Sequence, residues 1–300
     1  MTKQTNHSAR LIYSGHESFA CRYGWIPKLY HQVGDDPFLF ESDENAIVRL
    51  GIGRNMVKSI RFWGQMLGIT QSIGNETHTT PFAKNLLDLN SGLDPYLETL
   101  GSLWRLHWHI TVFGGLGAWT LAFLNSFDKT VTRERFITSL QTLALKHDGS
   151  ISFGTAKVHV AVFLATYNNE AKTKTELDET LGSPFQELNL VRLVYPGGTE
   201  TIQFVRGSKR TLDYRSFAFA LCDFWRRSAP SSSSLSFRSL MLSFASPGVV
   251  LMLDEVGLHE QLEDLCKNSE CFSLRPDGVG GYDLICRTDP VDELDRMAWT

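Results

Sequence analysis

No run in this 300-residue chain approaches the roughly 20 apolar residues of a membrane-spanning helix, and the polar start MTKQTNHSAR has no apolar signal core. A cytoplasmic chain off the membrane is expected. Cysteine is scarce: Cys21, Cys222, Cys266, Cys271 and Cys286 are odd in number and contain no CxxC pair, which argues against a disulfide framework and a zinc ribbon. His259 with Cys266, Cys271 and Cys286 would close a zinc site only with unusual spacing, so reduced structural thiols are expected. There is no βαβ rhythm and no phosphate-cradling glycine motif, which speaks against a nucleotide-binding parallel sheet and against a nucleotide or organic cofactor. Bulk positive charge is also missing: 29 basic and 33 acidic residues leave a net charge of −4, so any contact with nucleic acid needs a local patch.

Such a patch is present. Met56, Ile60, Trp63 and Leu67 recur at the spacing of one helical face and are expected to be core. Arg54, Lys58, Arg61 and Gln65 repeat that spacing two positions earlier, which at about 100° per residue turns them roughly 200° away, toward solvent. Between Arg49 and Asn75 no acidic residue occurs, so this face is expected to carry uncompensated positive charge. Upstream, Ser42 caps a short helix with Ala46, Ile47 and Leu50, and Gly51 and Gly53 supply the break, which together read as a helix-turn-helix. Ile69 to Phe82, turning at Gly74-Asn75, is expected to form a hairpin wing. Cations on a helix that enters a groove neutralise phosphates, and Asn55 at its start can reach a base edge or a phosphate. The competing reading is an amphipathic helix whose basic face meets another protein.

The remaining chain reads as helices punctuated by hairpins. Pro95 to Phe127 is strongly apolar and broken by Gly114, Gly115 and Gly117; Thr132 caps a helix to His147, and another runs from Gly154 to Asn168. Glu170 to Glu179 is a charged connection. Leu190 to Tyr195 and Thr199 to Val205 flank Pro196-Gly197-Gly198 as a second hairpin, followed by the basic Arg206, Lys209 and Arg210, which would touch phosphates or stand as a solvated loop. Asp213 to Arg227 is an aromatic-rich helix. Pro230 and four serines after Ala229 mark a boundary. Beyond it, a helix is expected from Ser246-Pro247 through Asp254, another from His259 to Cys266, and strands at Cys271 to Arg275 and Tyr282 to Arg287 joined by Pro276 to Gly281. The expected fold is mainly α with minor β: winged-helix or helix-turn-helix modules around a central helical core, with units at 1–92, 93–228 and 235–300.

Two groups invite catalytic chemistry. Ser14-Gly15-His16-Glu17-Ser18-Phe19, then Arg22, Gly24, Trp25 and Lys28, is too dense in polar and aromatic types for packing alone. His16 would act as base or metal ligand and Glu17 as its partner or a cation ligand, with Arg22 and Lys28 as phosphate clamps. Alternatively, His16 and Glu17 brace Arg22 and Lys28 in a buried polar network. Asp35, Asp36, Asp43 and Glu44 offer carboxylates to a hard cation such as magnesium or manganese, but they also fit an acidic loop and a helix start. His107 and His109 diverge on a helix and read as core or interface residues, and Asp148 with Glu170 and Lys172 matches a nuclease set only superficially.

The strings Ser14 to Phe19 with Arg22, Gly24, Trp25 and Lys28, and Ala46 to Trp63 with Leu50-Gly51-Ile52-Gly53-Arg54-Asn55-Met56-Val57, resemble the bacterial family catalogued as domain of unknown function 4007. That resemblance implies a component of the Ssp systems of DNA phosphorothioation, an anti-phage defence in which sulfur replaces a non-bridging phosphate oxygen on one strand. It further implies a DNA nickase acting on double-stranded DNA beside a cysteine desulfurase and an ATP-consuming sulfur-transfer protein. A homodimer is left open. The alternative is a winged-helix DNA-binding adaptor or transcription regulator without an active site, and a third reading is a scaffold whose basic face meets an acidic protein.

Overall fold

A computed structural model of the chain describes residues 10–124, 129–147, 149–168, 182–277 and 281–300. Trp25–Asp35 forms α1, Asp43–Leu50 α2 and Arg54–Met66 α3. The capping expected at Ser42 is present: its hydroxyl accepts from the Asn45 amide, and Gly51 closes α2 in the left-handed conformation at φ 64° that a side chain would resist. Ile60, Trp63 and Leu67 are buried as their spacing requires, while Met56 is half-buried and Val57 joins the core. Thr70–Ile73 (β1) and Glu76–Thr79 (β2) pair antiparallel about Gly74-Asn75. Pro81–Leu87 (α4) follows, capped by Thr80.

The central helix α5, Leu100–Phe113, is buried over most of its surface, and the glycines after it, Gly115 at φ 63° among them, break the chain before the short α6, Gly117–Trp119, and a wide-pitched turn at Thr120–Leu124. Thr130–Thr132 (β3) leads into Arg133–His147 (α7), then Phe153–Tyr167 (α8). Val191–Val194 (β4) and Thr201–Phe204 (β5) form the second hairpin, and β3 adds to the free edge of β5, giving the order β3-β5-β4. Tyr214–Ser228 (α9) starts at its Asp213 cap. Ser234–Ser236 (β6), Phe237–Leu242 (α10), Pro247–Val250 (α11), Glu255–Lys267 (α12), Phe272–Pro276 (β7), Tyr282–Cys286 (β8) and Pro290–Trp299 (α13) complete the chain, with β6-β8-β7 as the third sheet.

The fold is thus mainly α with three small antiparallel sheets. Two local expectations change. The helix from Ser246 stops at Val250, because Met252 turns left-handed at φ 55° and Asp254 caps a new helix. The serine-rich segment is tied down rather than loose: the Trp225 indole donates to the Ser232 carbonyl at 2.9 Å, and β6 pairs with β8. The buried apolar side chains form one cluster from Tyr13 to Ala298, in which α13 returns to pack along α9. Burial of this kind is the dominant favourable contribution to folding. Among the described residues, no single helix is long and apolar enough to cross a membrane. Residues 148 and 170–179, named above as a nuclease-like set and a charged connection, fall outside the described residues.

Candidate nucleic-acid interface

The stretch around His16 is pinned from both sides. Upstream, Ile12 exchanges hydrogen bonds with the turn before α6: its amide donates to the Gly115 carbonyl at 2.8 Å, and its carbonyl accepts from the Gly117 amide at 3.0 Å. Downstream, the Trp63 indole of α3 donates to the Phe19 carbonyl at 3.0 Å. Between these anchors the His16 carbonyl accepts from the Ser59 hydroxyl of α3 at 3.0 Å and from the Phe19 amide at 2.9 Å. Gly15, at φ 110°, lies so close to the Phe62 ring that a Cβ there would come within 2.7 Å of it. The motif is therefore a lid on one turn of α3.

Inside this lid His16 is 3% exposed and points away from solvent. Its Nε2 lies 3.0 Å from Nδ1 of His159, a fully buried residue of α8. The outer nitrogens both face backbone donors: the Ser18 amide at Nδ1 of His16, 3.3 Å, and the Ala118 amide at Nε2 of His159, 3.2 Å. The 3.0 Å contact takes one ring as donor and the other as acceptor, and among the described residues no acid stands beside the pair to offset an added charge. Burial accordingly lowers His16 to about 4 and His159 to about 3, the latter also through its neighbour His16. Both imidazoles are neutral near pH 7. A general base must come within hydrogen-bond reach of the proton it takes; His16 instead faces inward to His159, a partner that neither sequence reading offered.

Glu17 and Ser18 are exposed on the outer side of the same loop. Both are left-handed, at φ 48° and 65°. Backbone strain of this sort, about 1–3 kcal/mol per residue, persists only where the surroundings over-determine it, and it gathers at functional loops. Arg22 is half-buried, with its guanidinium 5.8 Å from the centre of the Phe19 ring and 5.5 Å from that of Trp25. Lys28 is exposed but donates to the Leu50 carbonyl at the end of α2, 3.0 Å away. His16 and Glu17 therefore diverge, and they do not bind Arg22 and Lys28 into one buried network.

On α3, Asn55, Lys58 and Arg61 face solvent, with Arg61 stacked 5.3 Å over the Phe40 ring. The charge on the rest of the patch is not uncompensated as expected. Arg54 pairs with Asp43 and Glu44 at 3.4 and 3.5 Å, and Arg49 with Asp36 at 3.6 Å, because acids outside the acid-free window fold back onto it. Gln65 spends its amide on Ser72 of β1 at 3.0 Å, fastening helix to hairpin. Of the second basic group, Arg210 is exposed and Arg206 donates to the Gly248 carbonyl at 3.4 Å. Lys209 departs from the expected surface position: it is 8% exposed, its ammonium donates to the Val205 carbonyl at 2.6 Å, and burial with Arg206 nearby lowers it to about 8.

His107 and His109 diverge on α5 as expected. His107 is fully buried between the Tyr167 hydroxyl at 2.8 Å and the Val250 carbonyl at 2.9 Å. All five cysteines are free thiols. The residues that sequence reasoning missed are His159, Ser59 and Phe62; His159 stands 143 positions from His16, and nothing in the local pattern around it marks it as a partner.

A basic helix followed by a hairpin, with a strained polar loop fastened to it through Ser59 and Trp63, defines the class of site. The particular family follows from comparison: the chain belongs to the DUF4007 family, described as proteins of unknown function, whose profile matches residues 13–296. Its structure is similar to a magnesium-bound SspB crystal structure, with TM-score 0.84 and 27% identity over 98% of this chain and 89% of that one. It is also similar to a second SspB crystal structure, with TM-score 0.80 and 28% identity over 94% and 85%. No functionally curated protein matches the chain. The resemblance drawn from the two motifs is therefore borne out across nearly the whole length.

The magnesium in that relative raises the question of a cation here. Among the described residues no group of three or more His, Cys, Asp or Glu side chains is placed to hold one. Asp36, Asp43 and Glu44, which the sequence offered as cation ligands, pair with Arg49 and Arg54. No cage of three such ligands is formed among the described residues, and a magnesium ion that keeps most of its waters needs only one or two carboxylates.

Proposed function

We propose that this protein is the DNA-binding component of a bacterial phosphorothioate-modification system, and that it nicks one strand of double-stranded DNA so that sulfur can enter the backbone. The observation that carries this reading is the coupling of Ser59 to the His16 carbonyl at 3.0 Å: it fixes the strained loop to the helix whose next outward residues are Lys58 and Arg61. A duplex held on α3, with the β1–β2 hairpin as a wing, would lie against the loop that presents Glu17. Likeness to SspB over nearly the full chain supports the same assignment.

In this scheme Asn55, Lys58 and Arg61 contact the strand, and Arg22 and Lys28 serve as further cations. Water attacks phosphorus in line, its proton passes to the Glu17 carboxylate, and the phosphorus–oxygen bond to the departing strand end breaks as that oxygen is protonated from solvent. The cations stabilise charge building on the phosphoryl oxygens. His16 is a positioning residue that holds the loop through His159. A cysteine desulfurase and an ATP-dependent sulfur-transfer protein would act on the opened strand.

The test is conversion of supercoiled plasmid to open circles by the purified protein with magnesium, with manganese and with chelator. Glu17→Gln is expected to abolish nicking while duplex binding persists. Binding without any cutting under all three conditions would replace the nickase with a non-catalytic DNA-binding adaptor.

A further inference from the structure

Four aromatic side chains from separate elements line one open cavity: Phe82 of α4, Phe113 of α5, Phe219 of α9 and Trp299 of α13. None is fully buried, and Phe113 is 52% exposed. Phe82, Phe219 and Trp299 pack on the core while remaining partly exposed, and Phe113 projects into solvent beside them, so the cavity offers aromatic surface to an occupant. They are held in place by one another and by His109. The Phe82 ring stacks on His109 at 5.1 Å and meets Phe219 at 5.6 Å, and Phe219 stands edge-on to Trp299 at 5.6 Å.

The polar groups around the rings narrow the occupant. Arg226 and Asp295 are exposed, offering a donor and an acceptor, and Nδ1 of His109 is shut from solvent without a hydrogen-bond partner. Asp223 is already committed to the Trp108 indole at 3.0 Å and to Arg227 at 2.9 Å. An organic cation would face Arg226, and an aliphatic group would leave Arg226 and Asp295 unanswered. A flat ring with donors and acceptors on its edge answers both the rings and the polar groups. The volume, about 270 Å³, falls just under the ~300–1,000 Å³ of pockets for drug-sized ligands, which suits one such ring system.

The cavity shares a wall with the proposed DNA-binding unit. Its His109 ring packs on Gly68, directly after α3, where a Cβ would lie 2.2 Å from the ring, and Phe82 follows β2 by three residues. We infer that this cavity receives a single unstacked nucleobase of a DNA strand opened beside α3, stacking it on Phe82, Phe113, Phe219 and Trp299 and meeting its edge with Arg226 and Asp295. The inference rests on the DNA-binding reading above. Pockets that hold an extruded base combine the same two elements, aromatic stacking and edge hydrogen bonds.

The probe is a single-stranded oligonucleotide carrying 2-aminopurine, followed by fluorescence, with intact duplex binding measured alongside. The full-length protein is expected to change the probe's emission on binding, and Phe113→Ala to lower single-strand affinity roughly ten-fold or more with duplex affinity unchanged. Asp295→Asn, at an exposed position, gives a second variant that keeps the fold and should weaken single-strand binding in the same way. Equal single-strand affinity and emission for wild type and both variants overturns the pocket while leaving duplex binding in place. Absence of binding to either form of DNA overturns the function itself. Retention of deoxymononucleotides without any strand binding overturns the strand as source and assigns the cavity to a free nucleotide.

Discussion

Nε2 of His16 lies 3.0 Å from Nδ1 of His159, joining the N-terminal motif to α8 inside the core. A backbone amide lies at the far side of each ring, and the tautomers set which of the two rings donates. Removing either imidazole leaves a buried nitrogen or amide unpaired, which costs about 1–3 kcal/mol. His16→Ala is expected to lower the urea midpoint accordingly, and His159→Ala to do the same. If the two single changes together cost much less than their sum, the pair acts as one unit; full stability of His16→Ala would refute the brace.

The buried histidines set a pH dependence of known sign. Burial holds His16, His107 and His109 down at about 4 and His159 at about 3, against about 6.5 in the unfolded chain. The unfolded chain takes up these protons first as pH falls, so the stability they contribute is whole above pH ~6.5 and is lost progressively toward pH ~4. The melting temperature should drop steadily across that window, and His16→Asn should flatten the drop. A midpoint that does not move between about pH 7 and 4.5 would contradict it.

Pairing separates the cations of the α3 face into two groups. Lys58→Ala and Arg61→Ala should each weaken duplex binding without regard to base sequence and flatten its salt dependence by about one unit of slope. Arg54→Ala should do less, since Asp43 and Glu44 already share its charge. Asp43→Asn with Glu44→Gln should tighten binding by freeing that arginine. Unchanged binding in Lys58→Ala with Arg61→Ala would remove α3 from the interface.

The left-handed backbone at Ser18, φ 65°, is tension that glycine would release. A side chain in that region costs roughly 1–2 kcal/mol, part of which glycine returns as added freedom in the unfolded chain. Ser18→Gly should therefore raise stability by about 0.5–1 kcal/mol in urea melts and reduce nicking, because the loop no longer holds Glu17 in one place. A destabilised Ser18→Gly would mean the hydroxyl matters more than the strain.

Much of the fold was legible because helices and tight hairpins are specified by neighbours. The apolar spacing of Ile60, Trp63 and Leu67, the caps Ser42 and Thr132, and the turns at Gly74-Asn75 and Pro196-Gly197-Gly198 all act over a few residues, and each appears where expected. The edge strands β3 and β6 were not legible, since a three-residue strand is defined by a partner far along the chain. The end of α11 escaped for the same reason: Met252 turns left-handed against no local glycine or proline signal.

The site divides along the same line. Sequence alone placed a basic face on α3 and singled out the string from Ser14 to Lys28, because helical period and residue type are local properties. Only the tertiary structure decided that His16 turns inward to His159, that Glu17 turns outward, that Arg49 and Arg54 are neutralised by Asp36, Asp43 and Glu44, and that Lys209 is buried. Hydrogen bonds and ion pairs depend on distances of about 3–4 Å between groups the chain brings together only on folding. Composition and periodicity carry no record of those distances.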